Sequence, residues 1–92
     1  MERTQLMEVL QTKYPKMFLR TTEQFNNEGN GIWTSGEESP VNDKGLPLFS
    51  YYTENYKKYD LGVEIEFSKY LDSVGWYCEW YDAGTIMIYP NF

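Results

Sequence analysis

The stretch Gly75-Trp76-Tyr77-Cys78-Glu79-Trp80-Tyr81-Asp82-Ala83-Gly84-Thr85-Ile86-Met87-Ile88-Tyr89-Pro90 reads as a β-hairpin. Two aromatic and β-branched runs flank Asp82-Ala83-Gly84. A loop of that length and composition suits a type I turn closed by Gly in the left-handed region. Tyr81 then faces Thr85, Trp80 faces Ile86 and Cys78 faces Ile88, with Trp76 further along the same side. On the other side Glu79 faces Met87 and Tyr77 faces Tyr89. Side chains alternate between the two faces of a strand, so the ribbon has one face of core residues and a second carrying Tyr77, Tyr81, Met87 and Tyr89. That second face is too apolar for an ordinary wet one. Either it is covered, by the N-terminal helix or by Phe18 and Phe92, or it is an exposed patch rimmed by Glu79 and Asp82, as at a protein-contact site.

The residues before the hairpin predict a helix over 61–74. Val63, Phe67, Tyr70, Leu71 and Val74 form one apolar stripe, Asp60 is the expected N-cap, and Glu66 and Lys69 can pair on the outer side. Gly75 sits where a left-handed residue ends a helix. This helix is expected to lie across the face carrying Trp76, Cys78, Trp80, Ile86 and Ile88.

Further back, Leu6, Val9 and Leu10 predict a helix over 4–13, capped by Thr4 and stopped by Pro15, which disfavours helical geometry at Tyr14. Met17 to Arg20 reads as a short edge strand. Thr21 and Gln24 have the spacing of a capping box for a single turn ending near Phe25. Ile32 to Ser35 reads as a strand. Gly36 to Gly45 is a long polar turn, and Leu46 to Tyr52 is the expected returning strand, with Pro47 at its start. The resulting expectation is an α+β fold in a single domain over residues 1–92. Its order is helix, hairpin, helix, hairpin, with a mostly antiparallel sheet of about four strands and the helices packed on it. A tighter wrapping of the strands into a small half-barrel is the alternative.

Hydrophobic residues make up 41% of the 92, enough for a packed core. The net charge of −6 is uneven. The first twenty residues carry four cations against two carboxylates, the rest four against twelve, and no Lys or Arg follows Lys69. Direct binding of a nucleic-acid backbone needs clustered cations, so the expected partner surface is basic or neutral protein. The single Cys78 forms no internal disulfide, no secretory signal pattern opens the chain, and no apolar run approaches the ~20 residues of a membrane span. A cytoplasmic location is the expectation.

Histidine is absent, so no Ser/His/Asp or Cys/His set can be built. Cys78 is expected inside the sheet as a small hydrophobe. The carboxylates, among them Glu37 and Glu38, Glu64 and Glu66, and Glu79 and Asp82, have no distinctive spacing and read as solvated charge. Glu37, Glu38 and Asp43, with Glu64, Asp72, Glu79 and Asp82, could form a negative surface, and mimicry of DNA would need those charges spaced like phosphates. No metal-ligand, phosphate-loop or dinucleotide pattern appears, so the expectation is a non-enzyme without cofactor or metal. The remaining chemistry is aromatic contact. One candidate set is Tyr77, Glu79, Tyr81 and Asp82. A second is Tyr56 and Tyr59, in the connector from Tyr51 to Asp60, whose Tyr, Asn and Lys resemble an antibody paratope in composition.

The runs Gly-Ile-Trp-Thr-Ser-Gly-Glu at 31–37 and Glu-Trp-Tyr-Asp-Ala-Gly-Thr-Ile-Met-Ile-Tyr-Pro at 79–90, in a small acidic chain rich in Tyr and Trp, resemble the accessory proteins of tailed bacteriophages. The resemblance implies a class: proteins that bind one bacterial protein and block it, as anti-CRISPR and host-takeover proteins do. It carries no functional residue with it. The expected function is a stoichiometric protein-binding inhibitor or adaptor that occludes a basic or neutral surface of a larger bacterial protein. The alternatives are a small-ligand or glycan-binding module with an aromatic platform, and a structural protein that self-assembles into homo-oligomers through a strand edge.

Overall fold

In the computed structural model, which describes residues 1–27 and 29–91, strands β5 (Trp76–Asp82) and β6 (Thr85–Pro90) form the expected hairpin. Tyr77 faces Tyr89, Cys78 faces Ile88, Glu79 faces Met87 and Trp80 faces Ile86. The register departs from expectation only at the turn. Asp82, not Tyr81, faces Thr85, and Tyr81 is the extra residue of a β-bulge. The loop is therefore Ala83-Gly84, and Gly84 is not left-handed. The Asp82 carboxylate accepts the Gly84 N–H at 2.9 Å, which favours the shorter loop.

Strand β6 is central. Its other edge pairs antiparallel with β2 (Ile32–Ser35), which pairs in turn with β1 (Arg20–Thr21). The sheet order is β1-β2-β6-β5, antiparallel throughout. The fold is α+β with a four-stranded sheet, but its first hairpin is not the expected one. Residues 46–52 do not return beside β2. Leu48 and Phe49 are consecutive and both buried, a pattern that an alternating strand with one wet face cannot produce. Their backbone makes scattered bonds instead: Leu48 N–H to Pro40 O, and Phe49 N–H to the Ser39 hydroxyl. The Asn42 side chain closes the preceding turn by accepting from the N–H groups of Lys44 and Leu46.

The second helix also begins later than expected. Gly62 has φ +78°, outside helical geometry, and residues 59–64 form a small ribbon of β3 (Tyr59–Asp60) and β4 (Val63–Glu64). Helix α3 (Ile65–Ser73) starts only after Glu64, its N-cap. The Glu64 carboxylate accepts the N–H groups of Glu66 at 2.7 Å and Phe67 at 3.1 Å, taking the capping role expected of Asp60. Glu64 is almost fully buried, so it is not part of any acidic surface. Gly75, with φ +85°, ends the helix as expected.

Helix α1 (Arg3–Lys13) starts one residue before its expected position. The Gln5 side chain accepts the Glu2 N–H, so Glu2 rather than Thr4 sits at the cap. Its Leu6 and Leu10 join Phe67 and Leu71 of α3 over Trp76, Ile32, Ile86 and Ile88 to make the core. The Trp76 indole N–H donates to Met1 O at 2.7 Å, tying the start of α1 to the hairpin. The one-turn helix α2 (Glu23–Asn26) follows the Thr21–Gln24 signal, the Gln24 side chain accepting the Thr21 N–H at 3.0 Å, with Thr22 at the cap. Among the described residues no helix is long and apolar enough to cross a membrane.

Glu64→Ala removes a buried carboxylate and leaves two helix N–H groups without their acceptor. It should lower unfolding free energy by about 2 kcal/mol. Glu64→Gln, which keeps one acceptor oxygen, should cost less. Urea denaturation of both variants measures the difference.

Candidate protein-binding surface

Both faces of the central strand β6 are covered, by different means. The helices lie on the Trp76/Ile86/Ile88 face, so α1 does not cover the opposite one. There the cover is a chain of edge-to-face rings: Phe18 on Trp33 at 4.9 Å, Trp33 on Phe25 at 4.9 Å, and Phe25 on Tyr81 at 5.0 Å. The Arg20 guanidinium stands 4.9 Å over the Phe18 ring. Helix α2 is held in place by Arg3, which bonds Glu23 at 2.7 Å and the Gly31 carbonyl at 3.3 Å. The hydrogen bond from Arg3 holds the Glu23 carboxyl below its ordinary pKa. Met87, cross-strand to Trp33 and Glu79, is only 2% exposed. Of the two expected covers besides α1, Phe18 is present and Phe92 lies outside the described residues. Phe25 and Trp33 complete it.

The cover stops short of the outer strand. Tyr77 is 42% exposed and Tyr81 59%, with Glu79 exposed between them on the same face. Asp82 is also exposed, though its carboxylate turns back to the Gly84 N–H. Three of the four expected contact residues on β5 thus share one open face, and the fourth closes the turn.

The second expected set divides. Tyr56 is exposed, whereas Tyr59 is buried and its hydroxyl donates to Pro47 O at 2.7 Å. Burial, and then the Glu64 charge, raise the Tyr59 pKa. Tyr59 therefore packs the β3–β4 ribbon rather than a contact surface.

Two further tyrosines of this connector, Tyr51 and Tyr52, are exposed, and so is Leu61 just beyond it, which the sequence places in a helix. Tyr51 packs edge-on against Tyr52 and against Trp80, each at 4.9 Å. Leu61 is 85% exposed at the tip of the β3–β4 ribbon with φ +50°. With Gly62 also at positive φ, the pair makes a turn of the I′ kind, where Asn-Gly is favoured and Leu is strained. The tip is clamped: the Trp80 indole N–H donates to Leu61 O at 2.7 Å, and Ser50 N–H to Gly62 O at 2.8 Å. A Cβ on Gly62 would meet both the Trp80 ring and Ser50 O at 3.0 Å. The sequence places Gly62 inside the expected helix over 61–74, not in a turn. The Leu gave no signal, because its neighbours there suggested a helix.

Cys78 lies on the core side of β5, and burial pushes its thiol up to about 12. A group at that value is protonated near neutrality and is no nucleophile. A cavity of about 280 Å³ opens between the end of α1, the turn at 42–44 and the start of α3. Leu10, Tyr14, Phe67 and Tyr70 give it apolar walls, with Lys13 and Lys44 among its charged lining. No protein family, curated protein or solved structure matches this chain.

Leu61→Asn should stabilise the protein by up to about 1 kcal/mol, since Asn tolerates the left-handed region and the exposed Leu side chain gives up little packing. Thermal denaturation should show the rise. Cys78 should resist a thiol reagent at about pH 8 in the native protein and react once unfolded. Its raised pKa stabilises the fold fully below the ordinary thiol value of 9. That contribution is lost as pH climbs from 9 towards about 12, because the unfolded chain ionises first. Urea titrations across that range should show the decline, smaller in Cys78→Ala.

Proposed function

We propose that this protein works by binding another protein, as a stoichiometric inhibitor or adaptor that covers a basic or neutral surface of a larger partner. One observation carries the reading: β5 holds Tyr77, Glu79 and Tyr81 on an open face of the sheet, where the ring chain over Met87 ends with Phe25 against Tyr81 and leaves both tyrosines largely exposed. Tyrosines in such a setting give large contact area at low entropic cost and are frequent hot spots. The carboxylates of Glu79 and Asp82 are not balanced by any Lys or Arg in the hairpin, which favours a cationic or uncharged partner and a salt-sensitive association rate. The resemblance to phage accessory proteins supports a bacterial protein as the partner, in the manner of anti-defence inhibitors.

The test begins with capture of a partner by the tagged protein from bacterial lysate, at low and high salt. Tyr81→Ala should keep the fold and weaken the captured complex by about 2 kcal/mol, or roughly 30-fold in Kd. Unchanged affinity in the folded variant would refute the assignment of this face.

A second reading rests on the cavity beside Tyr14 and Tyr70, whose size suits a small molecule. It calls for a ligand-induced rise in Tm that Tyr70→Ala abolishes. A ligand library without any shift would count against it.

A further inference from the structure

We propose that the free edge of β5 accepts an added strand, an extended segment of the partner carrying Lys or Arg opposite Glu79. This deepens the protein-binding reading and rests on it. The two edges of the sheet differ. At one edge β1 is two residues long, and the short helix α2 follows it directly. At the other, β5 runs for seven residues. Among the described residues, the main chain of Tyr77–Tyr81 hydrogen-bonds only with β6. Alternate N–H and C=O groups along it therefore point away from the sheet without a strand to receive them.

Side chains on this edge select what can pair. A strand added at ~4.8 Å would place alternate residues beside Tyr77, Glu79 and Tyr81 on one face, and beside Cys78 and Trp80 on the other. Opposite-charge cross-strand neighbours stabilise and like charges destabilise, so Glu79 favours a cation there. A second copy of this chain is disfavoured. Two β5 edges paired antiparallel about their middle would set the Glu79 side chains of the two copies against each other, and the hairpin has no Lys or Arg to offset them. The bulge at Tyr81 ends regular pairing, so the receptive stretch is short and its register is defined by one charge. The rows beside Cys78 and Trp80 call for aliphatic residues.

The experiment titrates the isotope-labelled protein with the peptide Thr-Val-Arg-Val-Lys-Val-Arg-Val-Thr and with its counterpart carrying Glu at each basic position. Amide shifts and hydrogen exchange are followed by NMR. The expected result is protection of alternate amides within Tyr77–Trp80 by the basic peptide, with about tenfold preference over the acidic one. Glu79→Lys, a change at an exposed position, should reverse the preference. Absence of protection along Tyr77–Trp80 would overturn the proposal, as would equal binding of both peptides. So would sedimentation showing a dimer of the protein joined through β5. If the peptides fail while Tyr81→Ala still weakens a captured partner, the edge proposal falls and the open-face reading stands. If Tyr81→Ala is neutral as well, both fall.

Discussion

Ile86, Met87 and Ile88 follow one another in the chain and all three are buried. Successive residues of a strand point to opposite faces, so the central strand demands cover on both sides. The remainder of the molecule answers that demand asymmetrically. Two helices cover Ile86 and Ile88 with aliphatic and aromatic side chains. Met87 is covered by Phe18, Trp33 and Phe25, with only a one-turn helix behind them. A short aromatic layer cannot span a whole sheet face, and the outer strand is where it ends. The open face of β5 is thus a consequence of how the opposite side of β6 is sealed.

Trp80 ties this sheet to the rest of the chain. Its ring packs against Phe49 and Tyr51, and its N–H holds the carbonyl of Leu61. A buried or half-buried indole N–H needs an acceptor, and a strained turn has a carbonyl to offer. The clamp explains how Leu61 can be kept in the left-handed region although its own side chain packs on little. Glu64, a few residues on, resolves a different conflict. A buried carboxylate is costly unless hydrogen-bonded, and helix N–H groups are costly unless capped, and each meets the other's need. The result is a compact corner in which two locally unfavourable choices are stabilised by one tertiary arrangement.

These features bear on function because strain and exposure coincide along one side of the molecule. Tyr51, Tyr52 and Leu61 reach β5 through Trp80, whose strand carries Tyr77, Glu79 and Tyr81 on its other face. Exposed aromatic area, uncompensated negative charge and an open backbone edge meet on a strand whose position is set by a rigid core. Under the proposed protein-binding function, preorganisation of that kind would lower the ordering cost of association. Cys78, by contrast, faces the core, and the chemistry of its thiol is suppressed by burial.

The sequence by itself determined the second hairpin, its register away from the turn, the stripe of α3, the C-terminal end of α1 and the short helix after Thr21. All of these rest on local periodicity or on contacts between residues close in the chain, where alternation and capping chemistry leave few alternatives. Tertiary structure alone decided that β2 pairs with β6 and not with residues 46–52, since two strands of similar pattern compete equally for an edge until a core exists. It also decided that Tyr59 turns inward while Tyr52 and Leu61 turn outward. A tyrosine or leucine looks the same in sequence whether or not another segment covers it. Glu64 shows the same limit in reverse: nothing in its neighbours separates a solvated carboxylate from a buried cap, and only its burial in the folded chain tells the two apart.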